Sequence, residues 1–552
     1  MRLNFRRTFW LLAVPLGFFQ AWALRFNMDP DGISYLEVAQ AYAQGRWNDA
    51  FNAYWSPLFS WILAVFLKVV HPSSYWEFPL IHLIIFFIYL FVLASFDDLL
   101  RQFLAWHKTP AADADPGWHT LPEALWEWIG YALILWCTLW ALGLAQATPN
   151  LLVSGFIFLS VGIAFRLQRE NVSGWLYVLS GVVLGFAYFA KAYAFLFGVA
   201  WILGMTGAAF LQRRPIRRYA LTLAVFIIVT GPYIGLLSRT KKHWTFGDAS
   251  SINYAVHVNQ ALPLPFWTGD FPPGSVAKRL VRQIMNHPTI YEFDRDIPAS
   301  FPLWYDPAYW MDGLRPRFSV RDHLSAWRGH LNEYTRLLFY EQISLWTGTL
   351  ILFGMARRWK RLIKHGWPLL VPALIGFGIF APVLMANSYI APFIVLGWLG
   401  ILAGLEFPTD GVTSRWLRRV AGVMIAVPLL QVGYRIVSVV PTRSTPFHWQ
   451  VAQKLHELGL RPGDRVASFD TGFGQFWAHI GGFRLIAEIT VPEEVTLITP
   501  SKMTEIVGVL RAKGIRAFVG RQELIPEDSL GGWQQLHNTP YAVYLINPTE
   551  GT

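Results

Sequence analysis

The chain has 552 residues, of which 54% are hydrophobic and 16% aromatic but only 15% charged. Soluble proteins carry about 25% charged residues, so this composition, with a mean hydropathy of +0.35, excludes one large water-soluble core and defines an α-helical polytopic membrane protein. The net charge of +11 excludes no partner by itself, but its distribution in short loops between apolar runs excludes a nucleic-acid face.

Apolar runs lie near 8–24, 57–70, 78–96, 124–145, 150–165, 175–190, 193–211, 218–238, 337–355, 367–386, 389–406 and 420–440. They predict about 11–12 transmembrane or near-spanning helices. Arg2, Arg6 and Arg7 precede the first run, and by the positive-inside rule they keep the N-terminus cytoplasmic. The same rule assigns to the cytoplasm the basic loops Arg213–Arg218, Arg357–Lys364 and Arg415–Arg419. The loops 25–56 and 239–336 and the segment 441–552 then lie outside. Seven runs precede 218–238, and an even number of them must cross. The short run 57–70, or the pair 175–211 interrupted at Lys191, is expected to fail to cross or to merge.

Loop 25–56 predicts an amphipathic helix lying along the interface, with Tyr35, Val38, Ala39 and Tyr42 on one stripe and Ser34 and Glu37 off it. Segment 441–552 alternates helical patterns at 448–459 and 501–513 with β-rich runs at 466–469, 517–519 and 541–545. It reads as a small extracytoplasmic α/β domain attached to a membrane module 1–440. Gly472-Phe-Gly474 reads as a turn. The single cysteine, Cys137, lies in an apolar run and excludes disulfides and CxxC metal sites.

Asp29 and Asp31 stand just past the first run, at the outer membrane surface. Residue chemistry leaves two readings open there: general bases, or N-caps of the helix starting near Ile33. Lys191 interrupts apolar sequence, as a functional cation or a snorkelling one does. Arg315 and Arg317, with Arg321 close by, are candidates for binding phosphate through the guanidinium fork. Trp304, Tyr305, Tyr309 and Trp310 crowd one stretch of the outer loop, as a sugar platform or an interfacial anchor would. The histidines show no HxxxH or His-x-Asp pair; the loop carboxylates Asp294, Asp296, Asp306 and Asp312 are the candidates for a divalent cation, and no cofactor is otherwise expected.

Asp31 followed four residues later by Tyr35, and the entry Tyr54-Trp-Ser-Pro-Leu-Phe59, resemble the GT-C superfamily of integral-membrane glycosyltransferases. Thr148-Pro-Asn150, Gly185-Phe-Ala-Tyr-Phe-Ala-Lys191 and Ser388-Tyr389-Ile-Ala-Pro392 are similar to further motifs of that superfamily, which includes protein O-mannosyltransferases and the lipid A aminoarabinose transferase. Two positions depart from it, Asn150 standing for the usual acid and Ser388 for the usual arginine. The resemblance implies transfer of a sugar, with inversion, from a polyprenyl-phosphate donor to a glycan, lipid or protein acceptor at the outer face of a plasma membrane, a bacterial inner membrane being the expected setting. It implies Asp31 as base with Asp29 as partner or alternative. Tyr35, Lys191, Arg315, Arg317, Trp304, Tyr305 and Tyr389 are the expected substrate-binding residues. The competing expectations are a non-catalytic envelope scaffold related to these enzymes and a lipid or sugar flippase.

Overall fold

The computed structural model describes residues 5–108, 117–169, 172–293, 297–356, 362–439, 446–489, 500–525 and 531–546. Asp294, Asp296, Arg357, Arg358, Lys360 and Arg361 lie outside the described residues. Among those described, 6 helices are long and apolar enough to cross a membrane: Ser74–His107, Glu123–Leu142, Asn150–Leu167, Ala194–Leu211, Arg217–Lys241 and Gly411–Val439. Shorter apolar helices pack with them: Pro57–Val70, Gly174–Ala190, Ile343–Met355, His365–Phe380 and Asn387–Ala403. The first helix, Phe5–Ala23, carries Arg6 and Arg7 in its opening turn.

The bundle has two unlike ends. At the basic end, ion pairs tie helices together: Arg6 to Asp97 at 2.9 Å, Lys108 to Glu123 at 2.6 Å and Arg166 to Asp98 at 2.5 Å. A two-residue antiparallel pair, Trp118–His119 with Phe407–Pro408, closes that end. The other end carries a sheet and the intervening loops. Helix 362–380 approaches Asn387–Ala403 so closely that a Cβ on Gly366 would lie 2.5 Å from the Gly400 carbonyl, a close approach of the kind small residues permit.

The uneven count of apolar runs has a structural answer. Pro57–Val70 starts at the sheet end, where Ser60 Oγ donates to the Tyr35 carbonyl at 2.9 Å. It stops at His71, left-handed at φ 49°, and the chain turns back into Ser74–His107. The first turn of that helix carries Glu77, which bonds His479 beside the sheet. Both ends of Pro57–Val70 therefore stand at the sheet end, and this is the short run that does not connect the two. Gly174–Ala190 and Ala194–Leu211 remain two separate helices, with Lys191 in the turn between them.

Seven strands form one mixed sheet: β1 Arg282–Asn286, β2 Thr289–Glu292, β3 Arg465–Phe469, β4 Arg484–Ile489, β5 Ala517–Arg521, β6 Trp533–Gln535 and β7 Tyr541–Leu545. Their order is β1-β2-β4-β3-β5-β7-β6. β3 pairs parallel with β4 and β5, and the flanking pairs are antiparallel. The hairpin β1–β2 comes from the long loop and adds to the C-terminal strands through Ile290 opposite Ile489. Helices Phe447–Glu457 and Pro500–Ala512 complete this unit, and the Gly-Phe-Gly segment is a short 3-10 turn, Gly472–Gly474.

The expectation of a helix lying half-immersed along the interface is corrected. Pro30–Ala43 is a helix, but Gly32 through Ala39 are all buried, Ser34 and Glu37 included. The sheet unit covers its polar face and satisfies it: Glu37 accepts from His479 Nδ1 at 2.9 Å and from the Ser300 amide at 3.0 Å. Ser34 Oγ donates to the Trp304 carbonyl at 3.0 Å. Buried polar groups persist where each has a partner.

Candidate active site

Of Asp29 and Asp31, Asp29 alone takes the capping position. Asp29 is the N-cap of Pro30–Ala43, with Oδ1 accepting from the Gly32 amide at 2.9 Å, and Pro30 opens the helix. Its Oδ2 accepts from the Ala147 amide at 2.7 Å, tying the cap to the segment before Asn150–Leu167. Both oxygens of Asp29 are thus committed to backbone. Asp31, one residue into the first turn, receives Trp304 Nε1 at 3.2 Å on Oδ1. Among the described residues no other group donates to it.

Asp31 opens into a cavity of about 320 Å³ at the sheet end. Tyr35, Tyr54, Lys191 and Tyr389 share its wall with Asp31. Each lies in a different one of the sequence segments quoted above, apart from Asp31 and Tyr35, which are one helical turn apart. Tyr35 is held edge-on to Trp55 and Phe59, with ring centroids at 5.1 and 5.4 Å. Lys191 ends Gly174–Ala190 in an extended conformation, and its Nζ lies 4.9 Å from the centre of the Tyr389 ring. Tyr389 stacks in turn on Phe380 at 5.2 Å. Leu196, Ile379 and Leu384 add apolar surface to the lining, and the helix Ala249–His257 adds Ser250, Asn253 and His257.

Burial pushes the Asp29 carboxyl up to about 6, reinforced by the Asp31 charge and resisted by the two amides and Lys191. Burial also raises Asp31, while Lys191 and the Trp304 N–H hold it down. Lys191 is lowered by burial to about 8, against the pull of both aspartates. A carboxylate and an ammonium within electrostatic reach of each other, in a recessed cavity, can take up a proton and stabilise an anion in the same space.

The other predicted residues take different places. Trp304 stands behind Asp31, its ring against Phe473 of the 3-10 turn at a centroid distance of 4.7 Å. The Gly472 amide donates to buried Glu488 at 2.6 Å and so fixes that turn. Tyr305 is buried outside the cavity, its hydroxyl donating to the Asp49 carbonyl at 2.8 Å. Arg315 and Arg317 are exposed and do not line the cavity; their amides donate to Ser275 and Asn259. Asn150 is buried, with Nδ2 on Thr148 Oγ1 at 3.0 Å and Oδ1 unpartnered among the described residues. Asp306 and Asp312 do not come together for a cation: Asp306 pairs with Lys241 at 3.6 Å, and Asp312 with Lys278 and Arg279 at 3.0 and 2.8 Å. Among the described residues no group of three or more His, Cys, Asp or Glu converges in metal-binding geometry.

Sequence reasoning missed Asn253, Tyr254 and His257, which no local pattern distinguishes from other polar loop residues. It also missed a buried cluster one layer away. His479 places Nδ1 on Glu37 at 2.9 Å and Nε2 on Glu77 at 3.0 Å. Burial alone would lower this imidazole, but the two carboxylates hold it up at about 10. It is therefore an imidazolium joining the C-terminal unit to Pro30–Ala43, which presents Asp31, and to Ser74–His107.

No family model and no curated protein matches the sequence. Solved structures do match along nearly the whole chain. Crystal structures of ArnT from Cupriavidus metallidurans, bound to undecaprenyl phosphate and in the apo state, are each 13% identical with a TM-score of 0.52. The match covers 100% of this chain and 99% of that one for the bound form, and 98% of each for the apo form. The oligosaccharyltransferase AglB from Archaeoglobus fulgidus, in complex with an inhibitory peptide and a dolichol phosphate, is 9% identical at a TM-score of 0.50, over 94% of this chain and 70% of that one. At these identities the likeness is one of fold. The chain has the GT-C fold of integral-membrane glycosyltransferases.

Proposed function

We propose that this chain is an inverting glycosyltransferase of the plasma membrane, transferring a sugar from a polyprenyl-phosphate donor to an acceptor hydroxyl on the outer side. One observation carries the reading: Asp31 and Lys191, from segments far apart in sequence, share one cavity of about 320 Å³ at the sheet end of a GT-C bundle. Nucleotide sugars are absent outside the cytoplasm, so a donor there arrives on a lipid. The undecaprenyl phosphate held by the ArnT structure supports a lipid phosphate as the donor's carrier.

In the proposed reaction the acceptor oxygen attacks the anomeric carbon from the face opposite the lipid phosphate. The new C–O bond forms as the bond from that carbon to the phosphate oxygen breaks, and the acceptor proton passes to Asp31. The bonding pair leaves on the phosphate, whose growing charge the Lys191 ammonium stabilises. One displacement inverts the anomeric centre, as in single-displacement glycoside chemistry. Asp29 caps the helix that presents Asp31, and Trp304 holds the orientation of its carboxylate. Tyr35, Tyr54 and Tyr389 offer ring faces and hydroxyls to the sugar. Arg315 and Arg317 take no part in this scheme.

The test supplies the purified full chain with a panel of labelled polyprenyl-phosphate sugars and a crude envelope acceptor fraction. Label passing from one donor to acceptor, with the anomeric configuration inverted, is the expected result. No transfer from any donor refutes the proposal and returns the chain to the scaffold or flippase alternatives.

A further inference from the structure

A second cavity lies apart from the one holding Asp31. A groove of about 440 Å³ opens on the side of the bundle, at the sheet end, between Phe5–Ala23 and the start of Ser74–His107. Its volume falls within the range of small-molecule sites, roughly 300–1,000 Å³. Phe18, Leu80, Leu83 and Phe86 form its walls, and Phe18 and Leu83 remain 49% and 42% exposed. Exposed side chains of this kind on the flank of a membrane bundle face acyl chains, not water.

The mouth of the groove is chemically different from its walls. Arg25 and His71 line it, and no carboxylate does among the described residues. The Arg25 guanidinium is stacked over Trp22 and Phe26, 4.7 and 4.8 Å from their ring centres. Only its bond to the Trp22 carbonyl, at 2.8 Å, engages a protein acceptor among the described residues. Most of its donors are therefore free, in a planar fork pre-oriented by the rings. Ser73, the N-cap of the 34-residue helix Ser74–His107, also lines the mouth and makes no side-chain capping bond, so the positive end of a long helix opens there. Glu77 in the same turn is committed to His479 and Gln40. Trp22 and Trp76 are half exposed beside the mouth, as belt residues at headgroup depth are.

We infer that this groove is a binding site for an anionic phospholipid of the bulk membrane, with the phosphate at Arg25 and the helix start, and an acyl chain between the two helices. The inference is independent of the proposed sugar transfer. It rests on charge complementarity with an apolar continuation, the pattern by which basic pockets between membrane helices select anionic headgroups. A bound chain would wedge between the first helix and Ser74–His107, whose first turn carries the Glu77 contact to the sheet unit.

Native mass spectrometry of the detergent-purified full chain tests this, after incubation with equal amounts of dioleoyl phosphatidylglycerol and dioleoyl phosphatidylcholine. Wild type is expected to retain the anionic lipid about fivefold better, the size of one basic contact at a membrane surface. Arg25→Gln should bring the two lipids level, and Leu83→Trp, which fills the groove, should lower retention of both. Unchanged thermal unfolding of each variant establishes that it is folded. Equal retention of the two lipids by wild type, or a preference that survives Arg25→Gln, overturns the inference. So does stoichiometric displacement of phosphatidylglycerol by undecaprenyl phosphate, which would make the groove a substrate site.

Discussion

Trp304 Nε1 donates to Asp31 Oδ1 across 3.2 Å, so a side chain from the long loop 239–336 holds the carboxylate at the head of Pro30–Ala43. Trp304→Phe removes the donor and keeps a ring against Phe473. A hydrogen bond to a charged group is worth about 1.5–3 kcal/mol, and 1.36 kcal/mol corresponds to one pKa unit. Burial already raises Asp31, and losing this donor raises it further. The acid limb of the rate–pH profile should therefore move upward by about 1–2 units. An unmoved limb would separate Trp304 from the base.

Lys191 should matter to chemistry more than to folding. Lys191→Met keeps an apolar contact with the Tyr389 ring but removes the charge that the proposed reaction sets against the leaving phosphate. Loss of such a preorganised group lowers kcat about 10²–10³-fold. Lys191→Arg restores the charge with different reach and should recover part of the rate. Single-turnover measurements read both variants, and equal rates in wild type and Lys191→Met would remove the residue from the mechanism.

His479 supplies a stability signature. Its value is raised from 6.5 to about 10, so its contribution is fully present below about 6.5 and is lost as pH rises through 10. Wild type should lose thermal stability between those limits. His479→Gln should melt lower at pH 7, by the order of 3–5 kcal/mol that breaking a buried ion pair costs, and should lack that alkaline slope. Cys137 is the sole cysteine and is buried, so a thiol-reactive fluorogenic dye reports unfolding. An unchanged alkaline slope in His479→Gln would contradict the imidazolium assignment.

The path of Pro57–Val70, with both ends at the sheet end, makes a prediction about membrane topology. A reporter inserted at Pro72 should read outside, with one near Glu505, while reporters at Arg214 and Arg418 should read cytoplasmic. A cytoplasmic reading at Pro72 would make Pro57–Val70 a crossing helix.

The parts legible in sequence were those written in local pattern. Apolar runs gave the bundle, and Asp31, Tyr35, Lys191 and Tyr389, which line one cavity, stood in short motifs whose order resembles that of a known superfamily. The cap on Pro30–Ala43 was legible as chemistry, but the choice between Asp29 and Asp31 depended on the Ala147 amide, 118 positions away. His479 with Glu37 spans 442 positions, and burial of Glu37 required the sheet unit above it. A helix read alone therefore placed Glu37 toward water. The hairpin β1–β2 escaped for the same reason, because its strand character comes from pairing with β4.

The most direct measurement compares sugar transfer by Asp31→Asn and Asp29→Asn at equal yield of folded protein. Asparagine caps a helix about as well as aspartate but cannot serve as the base. Asp29 acts through backbone amides; Asp29→Asn can keep the Gly32 bond but sets an NH2 against the Ala147 N–H, so it should keep transfer within about tenfold of wild type and lose about 1–3 kcal/mol of stability for the unsatisfied amide. Asp31→Asn should lower the rate about 10²–10⁴-fold, the usual worth of a general base. Transfer that survives Asp31→Asn and disappears with Asp29→Asn would contradict the account.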